Sequence, residues 1–118
     1  MSSHFEKTPA VQDFNIDELR GQREQGGDPY MQFLKVPSMR MGVYALAAGA
    51  EDKQAPHDED EVYYVIKGRA VLRVGTEEHP VAPGSIVFVA AHEVHKFHSI
   101  EEGLEVLVFF SSGDHRGC

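Results

Sequence analysis

Three shortages in this chain each exclude a class of protein. The single cysteine is Cys118, the last residue of the sequence, so no intrachain disulfide can form and no oxidising compartment is required. At that position it reads as a harmless exposed thiol. No apolar run approaches the roughly 18 residues that a transmembrane helix needs, and the opening MSSHFEKTPA lacks the hydrophobic region of a signal peptide. A cytoplasmic protein without a membrane partner is therefore expected. Cations are also scarce, with 11 Lys and Arg against 19 Asp and Glu and a net charge of −8. Nothing here supplies a basic stripe to neutralise phosphates, which argues against a nucleic-acid partner. The chain also lacks internal repeats, low-complexity tracts and linkers.

What is present fits one domain of 118 residues. A fold of this size buries roughly two-thirds of its unfolded surface, enough to stand without disulfide or metal staples. Residues 1–29 are polar and turn-rich and read as an N-terminal arm, with 30–118 as the body. In the arm, Asn15 is placed to cap a short helix, Glu18 to reach back as in a capping box, and Gly26-Gly27 to stop it. From Tyr30 onward the period becomes that of strands: YMQFLKV, MGVYALA, VYYVIK, AVLRV, SIVFVA, HKFHSI and LEVLVFF, separated by Gly, Pro and acidic clusters. Many short strands at close spacing imply an all-β sandwich or barrel.

The turns set expectations about facing. Gly68-Arg69 fits a two-residue hairpin, which would put Glu61, Tyr63 and Val65 on one face with Ala70, Leu72 and Val74. Ala82-Pro83-Gly84-Ser85 has Pro and Gly where a type II turn wants them. Val62, Tyr64 and Ile66 make the other face of the 61–67 strand apolar as well. That face calls for a cover, either the N-terminal arm or a second subunit, and a homodimer is expected.

His57, Glu61 and His95 carry the chemistry. Two imidazoles and one carboxylate in strand-like segments can converge on one divalent ion, a set that suits Fe, Mn, Ni or Zn and leaves positions open for a substrate or water. Glu59 shares parity with both His57 and Glu61 and is a reserve ligand. Asp58 and Asp60 read as a solvated acidic turn, since the run lacks the Gly and spacing of a calcium loop. Tyr63, Phe97 and Leu72 share the inward face and are expected to line an apolar pocket with few polar groups. His92 falls in a loop and His98 on the outer face. His4, His79 and His115 join no constellation.

The landmarks also follow two motifs. Gly49, AEDKQ, Ala55-Pro56-His57, DED, Glu61, VYYVIK and Gly68 follow the first cupin motif, except that Ala55 replaces its first histidine. Gly84, SIVFV, Ala90-Ala91-His92, EV, His95, KFH and Ser99 follow the second. Over roughly residues 42–110 the chain resembles small single-domain members of the cupin superfamily. The resemblance implies an antiparallel jelly-roll barrel with a short N-terminal helical arm. It also implies a metal held in one mouth by His57, Glu61 and His95, three of the four usual ligands.

Three functions follow from that resemblance. The first is a metal-dependent oxygenase or other metal-assisted reaction on a small organic molecule. The second is a sugar or phosphosugar isomerase or epimerase, for which Arg40 is the candidate phosphate contact because Arg73 and Lys96 point away. The third is a non-catalytic small-molecule-binding module.

Overall fold

The computed structural model describes residues 9–111; Cys118, His4 and His115 lie outside them. One helix, α1 (Ile16–Gly26), precedes six strands: β1 (Tyr30–Val36), β2 (Met39–Leu46), β3 (Glu61–Val74), β4 (Glu77–Val81), β5 (Ile86–Val89) and β6 (His95–Ser111). All pairings are antiparallel, in the order β1-β2-β6-β3-β4, with β5 added beside β3. The architecture is an all-β jelly roll with a helical arm. No helix among the described residues is long and apolar enough to cross a membrane.

β3 and β6 are the frame. They pair from Glu61 opposite Phe110 to Val74 opposite His95. Their first half carries β2, β1 and β5, and their second half carries β4. This corrects the expected hairpin at Gly68-Arg69, because the strand runs straight through it. The runs VYYVIK and AVLRV are one strand, as are HKFHSI and LEVLVFF. Gly68 has φ +90°, and a Cβ there would lie 2.5 Å from the Gly103 carbonyl oxygen. The glycine is needed for a close backbone approach at an irregular register, not for a reversal. The reversal falls at Gly75-Thr76, between Val74 and Glu77, which face each other across β3 and β4. β4 carries no strand signal in the sequence, because EEHPV is polar and exposed except at Val81.

The facing nevertheless holds. Glu61, Tyr63, Val65, Ala70 and Leu72 are all buried, although Val65 and Ala70 are an odd number of residues apart. The register shift around Gly68 supplies the missing half period that a hairpin would have supplied. Tyr63, Val65, Ala70 and Leu72 join Phe97, Leu104, Val106, Val108 and Phe110 in one core. Each buried Val, Leu or Phe there contributes about 1.5–3 kcal/mol.

The arm and the turn follow the sequence closely. The Asn15 side chain accepts from the amides of Asp17 and Glu18 at 2.9 and 3.3 Å, so Glu18 joins the cap through its backbone. Gly27 closes α1 in the left-handed region at φ 83°. Gly84 has φ 94°, and the Ser85 amide donates to the Ala82 carbonyl at 2.8 Å, as a type II turn requires. Helix α1 turns Leu19 inward and sends Arg20 to the buried carboxylate of Glu105 on the outer face of the sheet, at 2.8 and 2.7 Å. The arm thus covers part of that face. Tyr64, Ile86 and Phe88 stay exposed on the rest.

Candidate functional site

Two loops meet at one mouth of the roll. Residues 47–60 are irregular, and their backbone is clasped to the segment before β6. The His57 carbonyl accepts from the His92 amide at 2.7 Å, and the Asp60 carboxylate accepts from the Ala91 amide at 2.9 Å. Asp60 also exchanges bonds with Ser111, through both main chain and side chain. Asp60 is thus a half-buried clasp, not the solvated turn expected of it. Asp58 remains exposed, 3.6 Å from the His92 ring.

The deepest anchor is Asp52, 1% exposed. Its carboxylate accepts from the Tyr44 hydroxyl at 2.6 Å, the Gln54 amide at 3.1 Å, the Gln54 side-chain nitrogen at 2.8 Å and the Phe97 amide at 2.8 Å. An ionised carboxylate only accepts, so the nitrogen of the Gln54 carboxamide faces it and the oxygen faces inward. That oxygen accepts from the Tyr63 hydroxyl at 3.1 Å. Tyr63 also lies 3.1 Å from His95 Nε2. Burial, reinforced by neighbouring Glu61, raises the Tyr63 pKa and keeps it a neutral donor.

Glu61 and His95 are both buried and in contact, Oε1 to Nε2 at 2.9 Å. His95 Nδ1 lies 2.8 Å from the Glu93 carbonyl oxygen, which requires the proton on Nδ1 and turns the Nε2 lone pair toward the carboxylate. Two acceptors at that distance need a cation between them. A proton serves here: burial works against the charged imidazole, but the bonds to Glu61 and to the Glu93 carbonyl outweigh it and raise the His95 pKa. The second oxygen of Glu61 is buried without a hydrogen-bond partner. This donor set, with one unmet oxygen, fits a divalent ion.

His57 stands further off. Its ring centroid is 6.2 Å from that of His95, and it packs edge-on against Phe110 at 5.0 Å. Among the described residues, no three His, Cys, Asp or Glu side chains stand in a metal-holding arrangement. Glu59, the reserve ligand, is instead bound to Arg40 through two contacts of 2.7 Å. Ala55 is exposed, while its neighbour Gln54 takes the inward place.

The pocket is also not where parity put it. Tyr63, Phe97 and Leu72 are 0–1% exposed and form core below it. A cavity of about 110 Å³ opens beside them, with walls of Tyr30, Tyr44, Val108 and Phe110 and polar groups from Arg40, Gln54 and His57. Alternation reports which face a residue takes but not its depth along the roll. Tyr30, Tyr44, Gln54 and Asp52 carried no motif and were missed. The one available cue was a polar Gln beside the vacant motif position.

An antiparallel roll with titratable side chains gathered in one mouth, beside a largely apolar cavity, defines a small-molecule-binding β-barrel. The chain belongs to the cupin family, whose Cupin domain matches residues 42–111. It is similar to an uncharacterised protein of Streptomyces coelicolor, 51% identical over 98 residues, covering 83% of this chain and 93% of that one. Among solved structures it is similar to TT1209 from Thermus thermophilus, with TM-score 0.69 and 24% identity over 86% of this chain and 98% of that one. KdgF from Halomonas sp. aligns with TM-score 0.64 and 20% identity over 73% and 79%. The DMSP lyase DddQ from Ruegeria pomeroyi aligns with TM-score 0.66 and 20% identity, over 75% of this chain and 48% of the lyase. At these identities the likenesses establish the fold alone.

Proposed function

We propose that this cupin binds one divalent transition metal ion through His57, Glu61 and His95, and binds or transforms a small organic molecule in the adjoining cavity. The observation that carries the reading is the Glu61–His95 contact, with its fixed imidazole tautomer and its unmet carboxylate oxygen. A divalent ion displacing the shared proton would satisfy all three atoms, and His57 would complete the set by turning off Phe110. Fe, Mn, Ni and Zn all suit two imidazoles and a carboxylate. When bound, the ion would supply Lewis acidity or, for iron, dioxygen activation. The chain's own residues do the rest: Asp52 fixes Gln54, Gln54 holds the Tyr63 proton, and Tyr44 and Phe110 exclude water.

The phosphosugar reading needs an Arg or Lys free to meet phosphate. Arg40 does face the cavity, but it is held by Glu59. We further infer that two copies pair through the uncovered outer face of β3 and β5, where β5 is an edge strand.

Elemental analysis tests the metal reading on protein purified without chelator or affinity metal. Wild type should carry metal, or take it up, at near one equivalent, while His57→Ala and His95→Ala should lose most of it. Less than about a tenth of an equivalent in wild type, with no uptake on soaking, overturns the proposal.

A further inference from the structure

The charge a pocket accepts is set by the cations left unpaired on its wall. Arg40, inward-facing on β2, is the Arg or Lys among the described residues lining this cavity. Its Nε and Nη2 donate to the two oxygens of Glu59 at 2.7 Å each, and its Nη1 donates to the Gln32 side-chain oxygen at 3.2 Å. Its guanidinium carbon lies 3.8 Å over the ring of Phe110. The fork with which an arginine reads a carboxylate or phosphate is therefore already filled by a carboxylate of the same chain.

Tyr30 offers the opposite. Its hydroxyl is buried with no acceptor for its proton, and burial, partly offset by neighbouring Arg40, raises its pKa so that it stays a neutral O–H. Its ring lies across Gly42, where any Cβ would collide with the phenol. The glycine thus makes the seat from which Tyr30 faces the cavity. A buried hydroxyl without a partner costs free energy that a ligand atom can recover.

We propose that the cavity selects an uncharged ligand, a small molecule whose apolar body packs against Val108 and Phe110. Its alcohol, ketone or amide group bonds the Tyr30 hydroxyl, while Glu59 cancels Arg40 and denies the site to carboxylates and phosphates. This rests on the cavity being the ligand site, as argued under Proposed function.

Isobutyramide and isobutyrate test it, since they share a shape and differ in charge. Their binding is followed by NMR chemical-shift titration on metal-stripped protein and, in parallel, on zinc-loaded protein, so that the wall and the ion are read separately. Stripped wild type should bind the amide at least about tenfold more tightly than the carboxylate, a preference of about 1.4 kcal/mol. Glu59→Gln should move that ratio at least about tenfold toward the carboxylate in both metal states. Tyr30→Phe should weaken the amide severalfold, and a folded Tyr30→Phe with unchanged amide binding overturns the role given to that hydroxyl. If Glu59→Gln does not fold, Arg40→Leu decides, because removing the cation alone must push the ratio further toward the amide.

Wild type binding both probes equally, a folded Glu59→Gln with an unchanged ratio, or an Arg40→Leu ratio that moves toward the carboxylate each overturn charge selection and leave the cavity as a ligand site. If neither probe shifts Tyr44, Val108 or Phe110 in any of the proteins, the ligand-site reading falls with it.

Discussion

Asp52 accepts four hydrogen bonds while almost wholly buried, and the donors it satisfies come from β2, the 47–60 loop and β6. Asp52→Ala would leave several of them dry and unpaired, so urea unfolding should show a loss of about 3 kcal/mol or more. The same variant should release Gln54 and, through it, Tyr63. No feature of the sequence marked this residue, which lay in a five-residue spacer between motif landmarks, because its importance comes from donors distant along the chain. His95 was legible, as the histidine at the right offset from Gly84. What the sequence could not supply was its tautomer, set by the Glu93 carbonyl. That tautomer fixes a sign. The folded pKa of His95 is raised, so its shared proton stabilises the metal-free protein below the unfolded value, and that contribution is lost as pH rises through the folded one. A metal bound as proposed would have to displace this proton. The rise in Tm on adding zinc should therefore be larger at about pH 8 than at about pH 6, as differential scanning fluorimetry can check.

At the scale of elements, strand existence was legible and strand joints were not. The apolar runs lay where β1, β2, β3, β5 and β6 formed, because alternation is a local property of a half-buried chain. Gly68 looked like a hairpin because glycine serves both reversals and close approaches, and only the partner strand distinguishes them. The two uses predict different costs. Gly68→Ala combines a φ of +90° with a Cβ 2.5 Å from the Gly103 oxygen and 2.6 Å from the Leu104 Cα, backbone atoms that cannot yield cheaply. It should cost about 3 kcal/mol or more. Gly84→Ala, at φ +94° with nothing within 4 Å, bears the conformational strain alone and should cost about 1–2 kcal/mol. Thermal melts of the two variants side by side should show the larger fall for Gly68→Ala.

At the scale of the whole molecule, an apolar face of the sheet stays exposed among the described residues. Ile86 and Phe88 on β5 stand opposite Tyr64 and Val62 on β3, which in turn stand opposite Leu107 and Phe109 on β6. Ile86 is 70% exposed and Phe88 62%. Such a patch on an edge strand suits a self-complementary contact between two copies. Light scattering should find twice the chain mass for wild type and a single chain for Phe88→Lys, and a monomeric wild type would refute the pairing. By itself the sequence determined the all-β class, the inward face of β3 and the helix cap, since each depends on local period or backbone freedom. Only the tertiary structure decided that β3 runs through Gly68, that Glu59 belongs to Arg40, that Gln54 takes the place beside Ala55, and that the cavity lies above Tyr63 rather than around it. Those are relations between segments far apart in the chain, settled when packing brings their side chains to one depth, and no spacing along a single strand encodes that depth.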